Sequence, residues 1–185
     1  MLDLNSTRWK KLRAYFGNAS SVPEQIRAFQ NAPSEQTFGN LRDTLTGHGD
    51  IRPSEAFYAA LPYITATLEH LSPQERVEYL CHLGWAIALA RSPSALRVPR
   101  DLAGAYRKAV GKLRSLVAAT MHVKVKRVYF PYLLAAMAAT SSQHLLALGL
   151  IHAESVITCP KCGNLEVRCP KCGKAFQCWP ELFKR

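Results

Sequence analysis

Carboxylates are scarce in this chain. Thirteen Asp and Glu stand against 24 Lys and Arg in 185 residues, a formal net charge of +11 at pH 7. From Leu102 through Ala153 there is no Asp or Glu at all, while Arg107, Lys108, Lys112, Arg114, Lys124, Lys126 and Arg127 all fall there. A chain this poor in acids offers little for paired-carboxylate chemistry. Glu75 and Glu78 read as a helix cap and a solvated face. A phosphate-cradling glycine loop is absent, because Gly47-His48-Gly49 does not join a strand to a helix. His70, His82, His122 and His144 show no metal-binding spacing, and no nucleophile–base pair is legible, so the chain reads as non-catalytic. An N-terminal leader is missing as well: residues 1–12 intersperse charges and lack an apolar run with a cleavage site, which predicts a cytoplasmic protein. Before residue 159 cysteine is nearly absent. Cys81 alone occurs, in the apolar helical pattern of Val77, Leu80, Gly84 and Ala88, with no basic group at helical spacing to activate it.

What the first 158 residues lack, the next twenty hold in excess. Five of the six cysteines lie in residues 159–178, and Cys-Pro-Lys-Cys-Gly at 159–163 recurs at 169–173. Two thiolates separated by two residues on a tight turn form a metal knuckle, and two knuckles supply the four sulfurs of a closed tetrahedral zinc site. Cys159, Cys162, Cys169 and Cys172 are the expected ligands of a structural Zn2+, with Cys178 as the competing fourth or fifth thiolate. His152 is a weaker candidate than any of them. Redox use of Cys-Pro-Lys-Cys requires a βαβ setting that this chain does not have. Zinc ribbons usually leave ten or more residues between knuckles. Here only Gly163–Arg168 intervene, which leaves the ligand set open. Lys161, Lys171, Lys174 and Arg168 offset the charge of a four-thiolate zinc centre.

Ahead of the cysteines the pattern is helical throughout. Residues 7–16 place Trp9, Leu12, Tyr15 and Phe16 on one face, with Gly17 as the stop. Ser21 and Pro23 open a second helix, residues 34–45 form a third, and Gly47-His48-Gly49-Asp50 is a loop. Residues 54–71 make a helix with Pro62 inside it, which predicts a kink. Ser72-Pro73-Gln74-Glu75 reads as a capping box opening the next helix, and the short connection predicts antiparallel neighbours. Leu102, Tyr106, Ala109, Leu113, Leu116, Val117 and Thr120 then share one helical face. Arg100, Arg107 and Arg114 recur every seven residues on the other side, beside Lys108 and Lys112. Residues 128–151 carry no formal charge, long enough for a membrane span. Thr140-Ser141-Ser142-Gln143-His144 would sit at the bilayer centre, however, and reads better as a break between buried helices at 129–139 and 142–151.

These elements sum to an all-α chain of about eight helices, with a helical domain over residues 1–155 and a zinc-knuckle module over 156–185. Leu61-Pro62-Tyr63-Ile64 is echoed by Phe130-Pro131-Tyr132-Leu133 69 residues later, close to two periods of a helical repeat pair. The chain resembles a family of bacterial HEAT-like helical proteins. The likeness rests on Trp9, Tyr15-Phe16-Gly17-Asn18-Ala19 and Val22-Pro23. It continues in His48-Gly49, Ser54, Ala56, Ala60-Leu61-Pro62-Tyr63-Ile64 and Tyr132-Leu133-Leu134-Ala135-Ala136-Met137-Ala138-Ala139, and it ends in Cys159-Pro-Lys-Cys-Gly. That resemblance implies a HEAT-like α-solenoid and an immunity-type protein that neutralises a cognate toxin by direct binding, with no membrane association. The expected contact residues are the basic face Arg100, Arg107, Lys108, Lys112 and Arg114, or the loop carrying His48 and Asp50. A nucleic-acid-binding regulator, using the same basic face and the knuckles, is the alternative.

Overall fold

Among the described residues seven α-helices follow one another: α1 Val22–Asn31, α2 Glu35–Thr46, α3 Glu55–Glu69, α4 Val77–Leu89, α5 Ala103–Thr120, α6 Phe130–Thr140 and α7 His144–Ile157. The computed structural model describes residues 1–47, 52–92, 95–157, 166–168 and 175–177. Among these, the non-helical pairing is an isolated bridge between Arg13 and Asn18 and one antiparallel hairpin, β1 Glu166–Arg168 with β2 Ala175–Gln177. The chain is all-α in class.

Local chemistry explains where the helices begin. The Ser34 hydroxyl accepts from the Thr37 N–H while Thr37 Oγ1 accepts from the Ser34 N–H, a reciprocal cap on α2. Ser54 caps α3, and Pro23 occupies the first turn of α1, where its missing N–H costs nothing. The Ser72/Glu75 box forms as read, with the Ser72 N–H donating to Glu75 at 2.8 Å, but it closes a turn and α4 starts only at Val77. Serving as acceptor from Ser72 holds the exposed Glu75 carboxyl below its usual range. Pro62 is accommodated inside α3, which runs unbroken to Glu69. The uncharged stretch breaks where its polar residues predict: α6 ends at Thr140, Ser142 takes φ 65°, and the Gln143 N–H returns to the Ala138 carbonyl at 2.8 Å. No helix among the described residues is long and apolar enough to cross a membrane.

The first segment departs from its reading. Only Thr7–Lys11 is helical, as a 3-10 turn, and Trp9 and Leu12 are buried at 1% exposure each. Residues 13–18 instead fold back in a tight turn, so Phe16 is not on a buried face and stands 77% exposed. Gly17, at φ 71°, is the residue that lets the chain reverse so soon.

Packing places the helices in two rows. In the first, α3 lies between α1 and α5. Tyr58 stacks edge-on to Tyr106 near the starts of α3 and α5, and Lys112 meets Glu69 further along, so these two helices run parallel. In the second row Phe38 of α2 meets Tyr79 and His82 of α4, and α4 packs on α6, with Glu78 beside Tyr129 and Trp85 stacked on Tyr132. Between the rows, α3 and α4 face each other through Phe57, Ile64, Leu83 and Ala86. The last helix, α7, joins the second row against α6 and α4, and leaves α5 at the end of the first. Pro62 sits in the middle of α3 and Pro131 in the first turn of α6, so the 69-residue echo does not mark equivalent positions.

Two helices approach very closely at Gly84. A Cβ there would lie 2.3 Å from the Ala136 Cβ and 2.4 Å from its Cα, so α4 and α6 touch almost backbone to backbone. Arg76, 6% exposed, bridges the two rows by donating from Nε to Thr120 Oγ1 at 2.8 Å, and Thr120 in turn donates to the Leu116 carbonyl. Burial lowers the Arg76 pKa, yet a guanidinium stays charged at any working pH. Gly84→Ala is expected to destabilise the fold by about 1–3 kcal/mol, the usual range for overpacking. A urea-unfolding midpoint unchanged from wild type would contradict the contact.

Candidate functional site

Two surfaces are built in a way that packing alone does not require. The first surrounds the turn at residues 13–18. The Ala14 N–H donates to the Gly17 carbonyl at 3.1 Å, the Tyr15 N–H to Thr44 at 2.9 Å, and the Ala56 N–H to Arg13 at 2.9 Å. Glu55 accepts from the Arg13 N–H at 3.0 Å. The turn is thus tied to the end of α2 and the start of α3. Gly47, at φ 78°, lets the Tyr15 ring lie flat against its Cα, where a Cβ would come within 2.4 Å of the ring. Phe16 stacks edge-on to Tyr15 at 4.7 Å and otherwise projects into solvent. Beside it opens a cleft of about 410 Å³, lined by Tyr15, Arg52, Pro53, Ser54, Leu89, Ser92 and Leu96. That volume lies within the range of ligand and anchor-residue pockets, about 300–1,000 Å³.

The second surface is the outward side of α5. Ala109, Leu113, Val117 and Thr120 are buried as the periodicity predicts, while Arg107, Lys108, Lys112 and Arg114 are exposed. Lys112 is held to Glu69 at 2.9 Å. The Arg107 Nε turns back to the Ala103 carbonyl at 3.3 Å, and no carboxylate pairs with Arg107, Lys108 or Arg114 among the described residues. Arg100 is exposed just ahead of the helix and next to Asp101, which instead pairs with Arg8 at 3.1 Å. Bonding to Arg8 holds the Asp101 carboxyl below the usual range. Gly104 and Gly111 also lie on the outer side, with nothing within 4 Å of where a Cβ would be. Gly111, in the helix interior, costs about 1 kcal/mol relative to Ala, while Gly104, in the first turn, costs less. No contact among the described residues explains the choice of glycine at Gly111.

The remaining expected site residues fall into two groups. Cys159, Cys162, Cys169, Cys172 and Cys178 lie outside the described residues, and so do His48 and Asp50. Gly47 and Arg52 bracket the latter loop, and Arg52 lines the cleft. Of this region the structure describes the pairing of Glu166–Arg168 with Ala175–Gln177 alone. No group of three or more metal-ligating side chains occurs among the described residues. Cys81 is buried, with its thiol 3.8 Å from the Tyr129 carbonyl, in keeping with an inert thiol. The Tyr129 hydroxyl donates to Glu78, which pushes its pKa up to about 12.

Sequence reading missed Phe16 and the cleft. Phe16 fits an amphipathic helix as well as a displayed turn, and only the Arg13–Asn18 bridge decides between them. A small void beside Phe38, Arg42, Leu45, Ile64 and His82, about 10 Å³, has room for one water and no ligand. Burial, with Arg42 nearby, pushes the His82 imidazole pKa down.

No family model matches the chain, and no curated protein or solved structure matches it either.

His82 generates a pH prediction. Its folded-state pKa lies below the ordinary 6.5, so the unfolded chain takes up a proton first on acidification. The stability it contributes is complete above pH 6.5 and is lost as pH falls from there through the lowered folded value. Thermal melts of His82→Gln are expected to show a shallower loss of Tm between pH 7 and 5 than wild type. An identical slope for both chains would remove His82 from the acid response.

Proposed function

We propose that this chain is a non-catalytic, immunity-type binding protein that neutralises a cognate toxin by covering it, with the Phe16 turn and its cleft as the principal contact. The observation that carries the reading is Phe16 itself: an aromatic ring 77% exposed on a turn fastened by backbone hydrogen bonds to two helices. Rigid, protruding aromatics beside a pocket are the anchors around which protein interfaces concentrate their energy. Gly47 and Arg52, which flank His48 and Asp50 in the sequence, belong to this surface: Gly47 lies against Tyr15 and Arg52 lines the cleft. Rows of parallel helices, α3 beside α5 and α4 beside α6, support a HEAT-like arrangement, in which helices two apart stack within each layer.

Residues 156–185 are read as a small zinc module held by Cys159, Cys162, Cys169 and Cys172, with Cys178 in competition. Zinc there would supply folding free energy rather than chemistry, since a four-thiolate site leaves no open position. A cytoplasmic location accords with the thiolate pairs.

Purification of the tagged chain from its native host is expected to yield a stoichiometric protein partner, and Phe16→Asp is expected to weaken that complex at least about 30-fold, as for a central anchor. A partner retained in full by Phe16→Asp would displace the contact from this face. Metal analysis is expected to find one zinc per chain, lost in the Cys159→Ser, Cys162→Ser double variant. A metal-free chain with unchanged thermal stability would refute the module.

A further inference from the structure

We propose that the outward face of α5 binds duplex DNA, lying along the major groove and contacting phosphates on both sides. At about 100° per residue, Gly104, Gly111 and Ser115 form a ridge directly opposite the buried Leu113. Arg107 and Arg114 flank the ridge on one side and Lys108 on the other, with Lys112 beside it but already committed to Glu69. The cations therefore form two rows with small residues between them. A helix of this shape can enter a groove about 12 Å wide and leave its charges facing the phosphates on either edge. The two outward glycines, which no neighbour among the described residues requires, then have a reason: they allow close approach.

Position and charge agree with this. α5 ends its row because α7 joins the other one, so no helix among the described residues covers this face. Residues 102–153 contain no Asp or Glu to repel a polyanion. The ridge carries no amide or carboxylate side chain to read base edges, so contact is to the backbone and largely indifferent to sequence. Tyr106, the one aromatic side chain of α5, packs inward on Phe57 and Tyr58, which leaves nothing on this face to stack on unpaired bases and selects duplex over single strand. This surface is independent of the Phe16 turn.

The test uses the full chain and a fluorescein-labelled 20-base-pair DNA duplex, read by anisotropy. With Arg107, Lys108 and Arg114 on three phosphates, affinity is expected to fall at least about 40-fold between 50 and 200 mM salt. Replacing all three by Gln is expected to reduce that fall by the same factor, whereas a charge-matched control with Lys10, Lys11 and Arg13 changed to Gln keeps it. Gly111→Leu should raise the melting temperature of the protein and weaken duplex binding at least tenfold. The proposal is overturned if the duplex does not bind at 50 mM salt or if both triple variants lose binding equally. It is equally overturned if a single strand of the same length, or poly-glutamate, binds as tightly as the duplex.

Discussion

At Gly84 the fold has no room to adjust. Helices usually pack with axes about 8–10 Å apart, separated by interleaved side chains. Where a glycine meets Ala136 the spacer is reduced to little more than a methyl group, and the two backbones fix each other's position. Several features rest on that contact. It aligns α4 with α6, brings Trp85 onto Tyr132, and sets the Tyr129 hydroxyl on Glu78. It also draws α6 and α7, which carry the uncharged stretch 128–151, against α4, which gives that apolar stretch a partner other than lipid.

In the second row α4, α6 and α7 are therefore mainly apolar and tightly fitted, while the first row is more varied. Its helices α1, α3 and α5 combine an interior of Phe29, Phe57, Tyr58 and Leu113 with exposed ends that carry charge. Arg76 and Thr120 join the rows across the end of α5. A buried guanidinium bonded to a hydroxyl is a costly fastening, and losing the acceptor would cost more than making the bond gains. Its value lies in direction: apolar contacts alone would tolerate sliding of one row over the other, and a single oriented hydrogen bond does not.

Much of the helical plan was legible because amphipathic periodicity and caps act locally. Ser34, Ser54 and the polar run at 140–144 signal their boundaries through bonds to residues three or four away, and the structure places α2, α3 and the α6–α7 break accordingly. The inward face of α5 was legible for the same reason. What the pattern could not decide was the segment around Phe16. Trp9, Leu12, Tyr15 and Phe16 fit a helical stripe, but the structure ends the helix at Lys11 through contacts with Thr44 and Ala56, distant residues that no local periodicity reveals. The cleft was invisible for a related reason, since its walls come from three separated stretches. The echo between Pro62 and Pro131 misled in the opposite direction: a shared tetrapeptide serves one helix at its middle and another at its start.

The turn that displays Phe16 is bonded on both flanks before any partner arrives. Ordering a loose loop on association subtracts from the interaction, by about 0.5–1.5 kcal/mol for each side chain immobilised. A ring already held in place by its neighbours avoids most of that entropy loss. Its encounter rate would be set by diffusion and charge, and differences among partners would be expressed in how long each stays rather than in how fast it arrives. For a surface of that kind, the fastening of one small turn would leave residence time as the half of the binding kinetics open to tuning.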